Sequence, residues 1–204
     1  MPFDLSAEFI ADRLKRAYQP GVIASTDGYA SMYENVELKC AAVLIPLAWE
    51  KDEWKVVLTR RTDTVEHHKG QVSFPGGGCD LADGTAESTA LREAQEEVGL
   101  DPAGVRVLGR LNDVLTITRY RVTPVVGIVP WPYALKPAPA EVERVFTIPL
   151  LWLAERKNWE ERFELPDGTP RPFPVILYHL YDGELLWGAS ARMAQNFLSV
   201  LGLI

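Results

Sequence analysis

With 204 residues the chain is about 1.4 times a typical domain length, which predicts one domain over residues 1–204 with an extension, not two domains. Hydrophobic residues make up 47% and charged residues 24%, values that exclude a disordered chain, a collagen-like fibre and a coiled coil. The 28 acids against 21 bases (net −7) disfavour a non-specific nucleic-acid binder, while a locally basic pocket for a phosphorylated small molecule stays compatible with them.

The chain opens Met-Pro-Phe-Asp-Leu, acidic where a leader would be basic, and no apolar run reaches the ~18 residues that span a bilayer. A soluble, cytoplasmic protein is the expectation. Ser6 as N-cap and Phe9, Ile10, Leu14 and Ala17 at helical spacing predict a helix up to Pro20, an N-terminal extension over about residues 1–20. Residues 21–36 read as a loop. The apolar runs Cys40 to Leu47 and Trp54 to Leu58, around a polar turn at Lys51 to Glu53, predict a β-hairpin. Val72 to Phe74 is a short strand running into a glycine loop, and Thr85 to Val98 is a helix ended by Gly99. Strands follow at Val105 to Leu111 and Arg121 to Val129, then a rigid proline-rich loop from Pro130 to Pro139. A strand near Val145–Ile148, a short helix from Pro149 to Glu155, strands at 160–164 and 174–180, and a helix from Ser190 to Leu201 complete the chain. Strands mixed with three or four helices and few long βαβ repeats predict an α+β (mixed α/β) fold. Cys40 and Cys79 form no metal-type cluster and no Cys-x-x-Cys pair, and are expected as reduced thiols.

The chemistry concentrates in Arg92-Glu93-Ala94-Gln95-Glu96-Glu97-Val98-Gly99-Leu100. Leu91, Ala94 and Val98 share an apolar helix face, while Glu93 and Glu97 are i,i+4 neighbours with Glu96 beside them. Like charges at that spacing cost a few tenths of a kcal/mol per pair, and the helix C-terminus disfavours anions by a similar amount. Helix stability would not select this arrangement, whereas a hard divalent cation such as Mg²⁺ takes carboxylate oxygens readily. A solvated acidic face is the competing reading of the segment alone. The preceding Phe74-Pro75-Gly76-Gly77-Gly78 lets the backbone turn sharply and brings N–H and C=O groups close to a ligand, though by itself it is also an ordinary turn.

In this order the elements resemble the Nudix hydrolase signature: Gly, five residues, an acid, then Arg-Glu-x-x-Glu-Glu-x-Gly-apolar, matched from Gly77 to Leu100. One position departs. The middle acid is Asp83, and eight residues rather than seven separate it from Arg92; without that insertion the acid position would fall on Gly84. The departure is similar to the coenzyme A diphosphatase branch of the family. So are Leu58-Thr59-Arg60-Arg61-Thr62, His68-x-Gly70-Gln71-Val72-x-Phe74-Pro75, Leu108-Gly109-Arg110-Leu111, Val122-Thr123-Pro124 and Trp187-Gly188-x-Ser190-Ala191-Arg192. Thr62 and Val65 stand where that branch more often has Ser and Leu. The resemblance covers roughly residues 38–195 and leaves the N-terminal helix outside.

It implies a Nudix-type mixed β-sheet sandwiched between α-helices, and a Mg²⁺ or Mn²⁺ ion held by Glu93, Glu97 and Glu96 with the carbonyl of Gly77. Arg92 is expected to pair with a nearby carboxylate and orient the glutamates. The implied activity is hydrolysis of the diphosphate of coenzyme A or its thioesters; ADP-ribose or NADH is the alternative substrate, and a non-catalytic Nudix-fold binding module the alternative class. A general base must lie in reach, with Glu96 and Glu141 as candidates. Gly76 and Gly77 are expected against the substrate. Arg60, Arg61 and His68 lie in a basic segment suited to substrate phosphates, with surface ion pairs as the plainer role of each arginine. His67 reads as exposed and His179 as structural; Trp131 and Tyr133 could stack on a base or pack as core. The partner is a small molecule, with neither nucleic acid nor membrane, and a homodimer is allowed for.

Overall fold

The computed structural model describes residues 5–24, 33, 36–63, 70–164 and 173–204. Its elements are α1 (Ala7–Ala17), β1 (Lys39–Glu50), β2 (Glu53–Arg61), β3 (Val72–Ser73), β4 (Gly76–Gly78), α2 (Ala86–Val98), β5 (Arg106–Arg110), β6 (Val114–Leu115), β7 (Tyr120–Ile128), β8 (Val142–Pro149), α3 (Leu150–Ala154), β9 (Trp159–Glu164), β10 (Phe173–Tyr178) and α4 (Gly188–Leu201). The mixed α+β architecture expected from the sequence is what forms.

The main sheet has the order β3-β2-β1-β7-β5, with β4 also on β1, β6 on β7 and β8 on β2. Its β1 and β7 run parallel from Lys39↔Tyr120 to Leu47↔Ile128, and the other pairs are antiparallel. Lys51 and Asp52 join β1 to β2 with positive φ (52° and 60°), the twist that a tight two-residue hairpin requires. The hairpin pairs only Leu47–Glu50 with Glu53–Val56. Beyond Val56 the two strands part. β4 takes the edge of β1 at Ala41–Val43, and β3 takes the edge of β2 at Thr59–Arg60. The resulting split opens the end of the sheet where the glycines lie.

Side chains on β1 alternate between two buried layers. Ala42, Leu44 and Ala48 join Ala90, Ala94 and Val98 of α2, and the four alanines let helix and strand approach closely. Ala41, Ile45 and Leu47 face the opposite layer, built on α1, α3 and α4. The helix α1 begins where expected, with Ser6 Oγ accepting from the Phe9 amide at 3.2 Å, and its Ile10 and Leu14 are fully buried.

The structure differs from expectation in four places. The glycine run forms a strand, because its backbone pairs with β1 although it has no side chains to signal this. The short β6 is an added strand on β7. β10 ends at Tyr178, so His179 lies just past it, donating its amide to Asn158 O at 2.7 Å. Finally, Cys40 and Cys79 are joined in a disulfide (Cα–Cα 5.4 Å), because the β1–β4 register brings together residues 39 positions apart. Most of the loop expected at 21–36 lies outside the described residues. No helix among the described residues is long and apolar enough to cross a membrane.

Candidate active site

Local signals place α2. Thr85 Oγ1 accepts from the Ser88 amide at 3.1 Å, and the helix ends left-handed at Gly99 (φ 69°), whose N–H reaches back to Gln95 O at 2.9 Å. The proline-rich loop then covers the carbonyls that a helix end leaves open: Lys136 N donates to Val98 O and Ala138 N to Glu97 O, each at 2.8 Å. Trp131 and Tyr133 pack on the α2-side core from that loop, the second of the two roles expected of them.

The acidic residues of α2 meet the glycine strand. Glu97 is only 3% exposed; its Oε2 accepts from the Gly76 amide at 3.2 Å and its Oε1 from Arg61 Nη1 at 3.3 Å. Burial pushes its carboxyl up to about 7, helped by the charges of Glu93 and Glu141 and opposed by the Gly76 N–H and Arg61. Glu93 is half-buried and also shifted upward by burial, against the pull of Arg92. Its carboxylate lies where a Cβ on residue 77 would come within 2.5 Å of Oε2, so Gly77 leaves the space that Glu93 fills. At Gly76 a Cβ would meet the backbone of β1, 2.5 Å from Ala42 O and from Val43 Cα. Glu96 is the exposed member of the trio.

Arg92 ties these parts together. Its guanidinium donates to both oxygens of Asp83 (2.9 and 3.0 Å), to Gly78 O at 3.0 Å and to Glu96 Oε2 at 3.1 Å, and lies 2.9 Å from Glu93 Oε1. Asp83 also accepts from the Asp80 amide and the Thr89 hydroxyl, and the Arg92 pairing holds its carboxyl well below the usual range. The acid that departs from the signature is therefore the carboxylate that anchors Arg92.

The other expected residues divide. Arg61, at the end of β2, reaches Glu97 and brings Nη2 within 4.0 Å of Glu141 Oε2, while its buried Nε has no hydrogen-bond partner among the described residues. Glu141 thus stands beside the trio, half-exposed. Arg60 engages different acids from Arg61, the β2–β8 register shifting between the two, and lies 3.4 Å from Glu143 and 3.9 Å from the buried Glu184. His68 and His67 lie outside the described residues. The sequence reading missed the hold of Gly76 N–H and Arg61 on Glu97. No local signal could have revealed the second, since 36 positions separate the pair.

Among the described residues, no three His, Cys, Asp or Glu side chains converge on one point as a ready cation site. Arginines stand between the carboxylates instead. The donor set nonetheless suits a hard divalent ion: oxygen ligands only, two glutamates desolvated enough to shift upward, and a glycine strand pressed against one of them.

Comparison with known proteins gives a concordant result. The NUDIX domain model matches residues 38–168. An uncharacterized Nudix hydrolase, NudL, of Escherichia coli (strain K12) is 44% identical over 170 residues, covering 83% of this chain and 86% of its own. The NudL of Photorhabdus laumondii is 38% identical over 156 residues, covering 76% and 81%. Among solved structures, the Nudix hydrolase RenU of M. smegmatis aligns over 57% of this chain and 73% of its own, with 24% identity and a TM-score of 0.49.

Proposed function

This chain belongs to the Nudix hydrolase family, and from that premise we propose that it hydrolyses the diphosphate bond of coenzyme A or its thioesters, giving 3′,5′-ADP and 4′-phosphopantetheine or its acyl form. As a Nudix hydrolase it acts on phosphoric anhydride bonds of small-molecule nucleoside diphosphate derivatives, and enzymes of the family generally use divalent metal ions. The observation that carries the chemistry is the pair Glu93 and Glu97, withdrawn from water against Gly76 and Gly77. The coenzyme A substrate rests on the likeness of Leu58 to Thr62 and Gly70 to Pro75 to that branch.

In this reading Glu93, Glu97 and Glu96, with the carbonyl of Gly77, hold Mg²⁺ or Mn²⁺. Such an ion supplies charge neutralisation on the diphosphate and activation of water. The chain's own groups keep the carboxylates in place: Gly76 N–H and Arg61 fix Glu97, and Arg92, anchored on Asp83, fixes Glu93 and Glu96. A base must take the proton of the attacking water. Arg92 holds Glu96 Oε2 at 3.1 Å, whereas Glu141 Oε2 comes only within 4.0 Å of Arg61, so we assign that proton to Glu141 Oε2. A cytoplasmic setting belongs to the same reading, which also admits a homodimer.

One observation favours a second substrate. Arg60 is engaged by Glu143 and Glu184, which weakens the case for a second phosphate site beside the diphosphate and favours ADP-ribose or NADH. Purified protein with Mg²⁺ or Mn²⁺ is to be assayed on coenzyme A, acetyl-coenzyme A, dephospho-coenzyme A, ADP-ribose and NADH, with products identified by mass. The expected result is 3′,5′-ADP release from coenzyme A with kcat/KM at least ~10-fold above ADP-ribose and NADH. The reverse order would replace the substrate, and no turnover of any would leave a binding module.

A further inference from the structure

We propose that Cys40 and Cys79 form a thiol-exchange site, an accessible disulfide that clamps the glycine strand of the active site and is opened by low-molecular-weight thiols. Cys40 is exposed and Cys79 half-buried, so an external thiolate can reach the bond. The chain has only these two cysteines, and both are in the bond, so the exchanging thiol must come from outside.

The position of the bond is what gives it consequence. Cys79 directly follows β4, and its amide donates to Cys40 O at 3.1 Å, continuing the three-residue ladder of Gly76, Gly77 and Gly78 on β1. Among the described residues β4 pairs with no other strand. Three residues of edge pairing are a weak hold, and glycine backbone is the most easily disordered. Yet this strand presents Gly76 N–H to Glu97, Gly78 O to Arg92 and the space under Glu93. The disulfide closes a 39-residue separation that also contains β2 and β3, and so confines the strand to its register.

The exchange balances with a monothiol such as glutathione. Its thiolate attacks one sulfur, the S–S bond breaks, and the other cysteine leaves as thiolate. A second glutathione thiolate then attacks the mixed disulfide, releasing the second cysteine and glutathione disulfide. Two protein thiols are gained for two glutathione thiols oxidised, and excess glutathione disulfide runs the sequence backward.

The test uses the full chain without metal or substrate, so its failure is separable from failure of the coenzyme A assignment. Wild-type protein is poised with excess glutathione disulfide or excess glutathione, thiols are titrated, and amide hydrogen exchange is followed over residues 74–80. Reduction should expose two thiols, speed exchange at the Gly76 and Cys79 amides at least ~10-fold, and lower Tm by roughly 5–10 °C. The Cys40→Ser/Cys79→Ser double variant should behave as the reduced protein under both conditions. The proposal is overturned if two thiols appear while exchange and Tm stay unchanged, if no disulfide forms under oxidising glutathione, or if the double variant still responds. The wild-type comparison stands whether or not the variant folds.

Discussion

Glu97 holds a carboxylate almost out of water, and its neighbours are arranged around that cost. In Glu93→Gln and Glu97→Gln the shape stays and the charge goes. Each should lower turnover at least ~100-fold, about 2.7 kcal/mol of barrier, with the fold retained by circular dichroism. Near-wild-type activity of both would overturn the cation-holding role proposed for them. The raised carboxyl also sets a pH dependence. Between an ordinary 4.5 and about 7, folded Glu97 binds a proton that the unfolded chain has released. Its contribution to stability is therefore lost as pH rises through that window. In EDTA, the Tm advantage of Glu97→Gln over wild type should grow from pH 5 to pH 8; a constant difference would mean that the carboxylate is already compensated. Arg61, seated on Glu97, leads to a different expectation from a residue that reads a distant phosphate. Arg61→Ala should lower kcat/KM for coenzyme A and dephospho-coenzyme A alike, by roughly 10- to 100-fold for a lost charge-assisted contact. A loss confined to coenzyme A would instead place it on the 3′-phosphate.

The meeting of α2 with β4 depends on two glycines that fail differently. At Gly77 the added methyl would strike the movable end of Glu93, while at Gly76 it would strike the backbone of β1. Gly77→Ala should therefore cut activity at least ~100-fold, by displacing Glu93 from the cation-holding role proposed for it, with Tm lowered by no more than a few degrees. Gly76→Ala should lower Tm by roughly 5 °C or more, since overpacking of this kind costs about 1–3 kcal/mol. Melting curves and single-substrate kinetics of the two variants decide this, and equal Tm losses would show that Glu93 cannot move aside. The limits of α2 were legible in the sequence because its caps, Thr85 and Gly99, act within a few residues. The strand β4 was not, because three glycines carry no alternation of side chains and only pairing with β1 makes them a strand.

Two helix layers enclose the sheet, and the layer away from the site includes a segment outside the family match. Residues 38–168 match the family model, yet Ile10 and Leu14 of α1 are completely buried against the common core, and Arg13 Nε donates to Val200 O of α4 at 2.6 Å. Within the extension read from the sequence, α1 thus contributes Ile10 and Leu14 to the hydrophobic core. Leu14→Ala should cost about 2–5 kcal/mol and lower Tm by roughly 5 °C or more, while kcat of the folded enzyme stays near wild type because the site lies across the sheet. Thermal melts paired with kcat measured well below Tm check this; a large kcat loss would reveal coupling through the sheet.

From the sequence alone came the helices and the longer strands, the apolar face of α2 and the trio Glu93, Glu96 and Glu97, each set by caps, alternation or spacing over a few residues. Such signals are local, so a linear chain displays them. The tertiary structure decided which cations meet which acids. Arg61 reaches Glu97 and Glu141 while Arg60 turns to Glu143 and Glu184, a division that falls where the β2–β8 register shifts between the two. It also decided that Cys40 and Cys79 are bonded and that Asp83 anchors Arg92. Each of these depends on strand register or on a loop folding back, and pairings of that kind are specified by the packing of the whole core and not by any local run of residues.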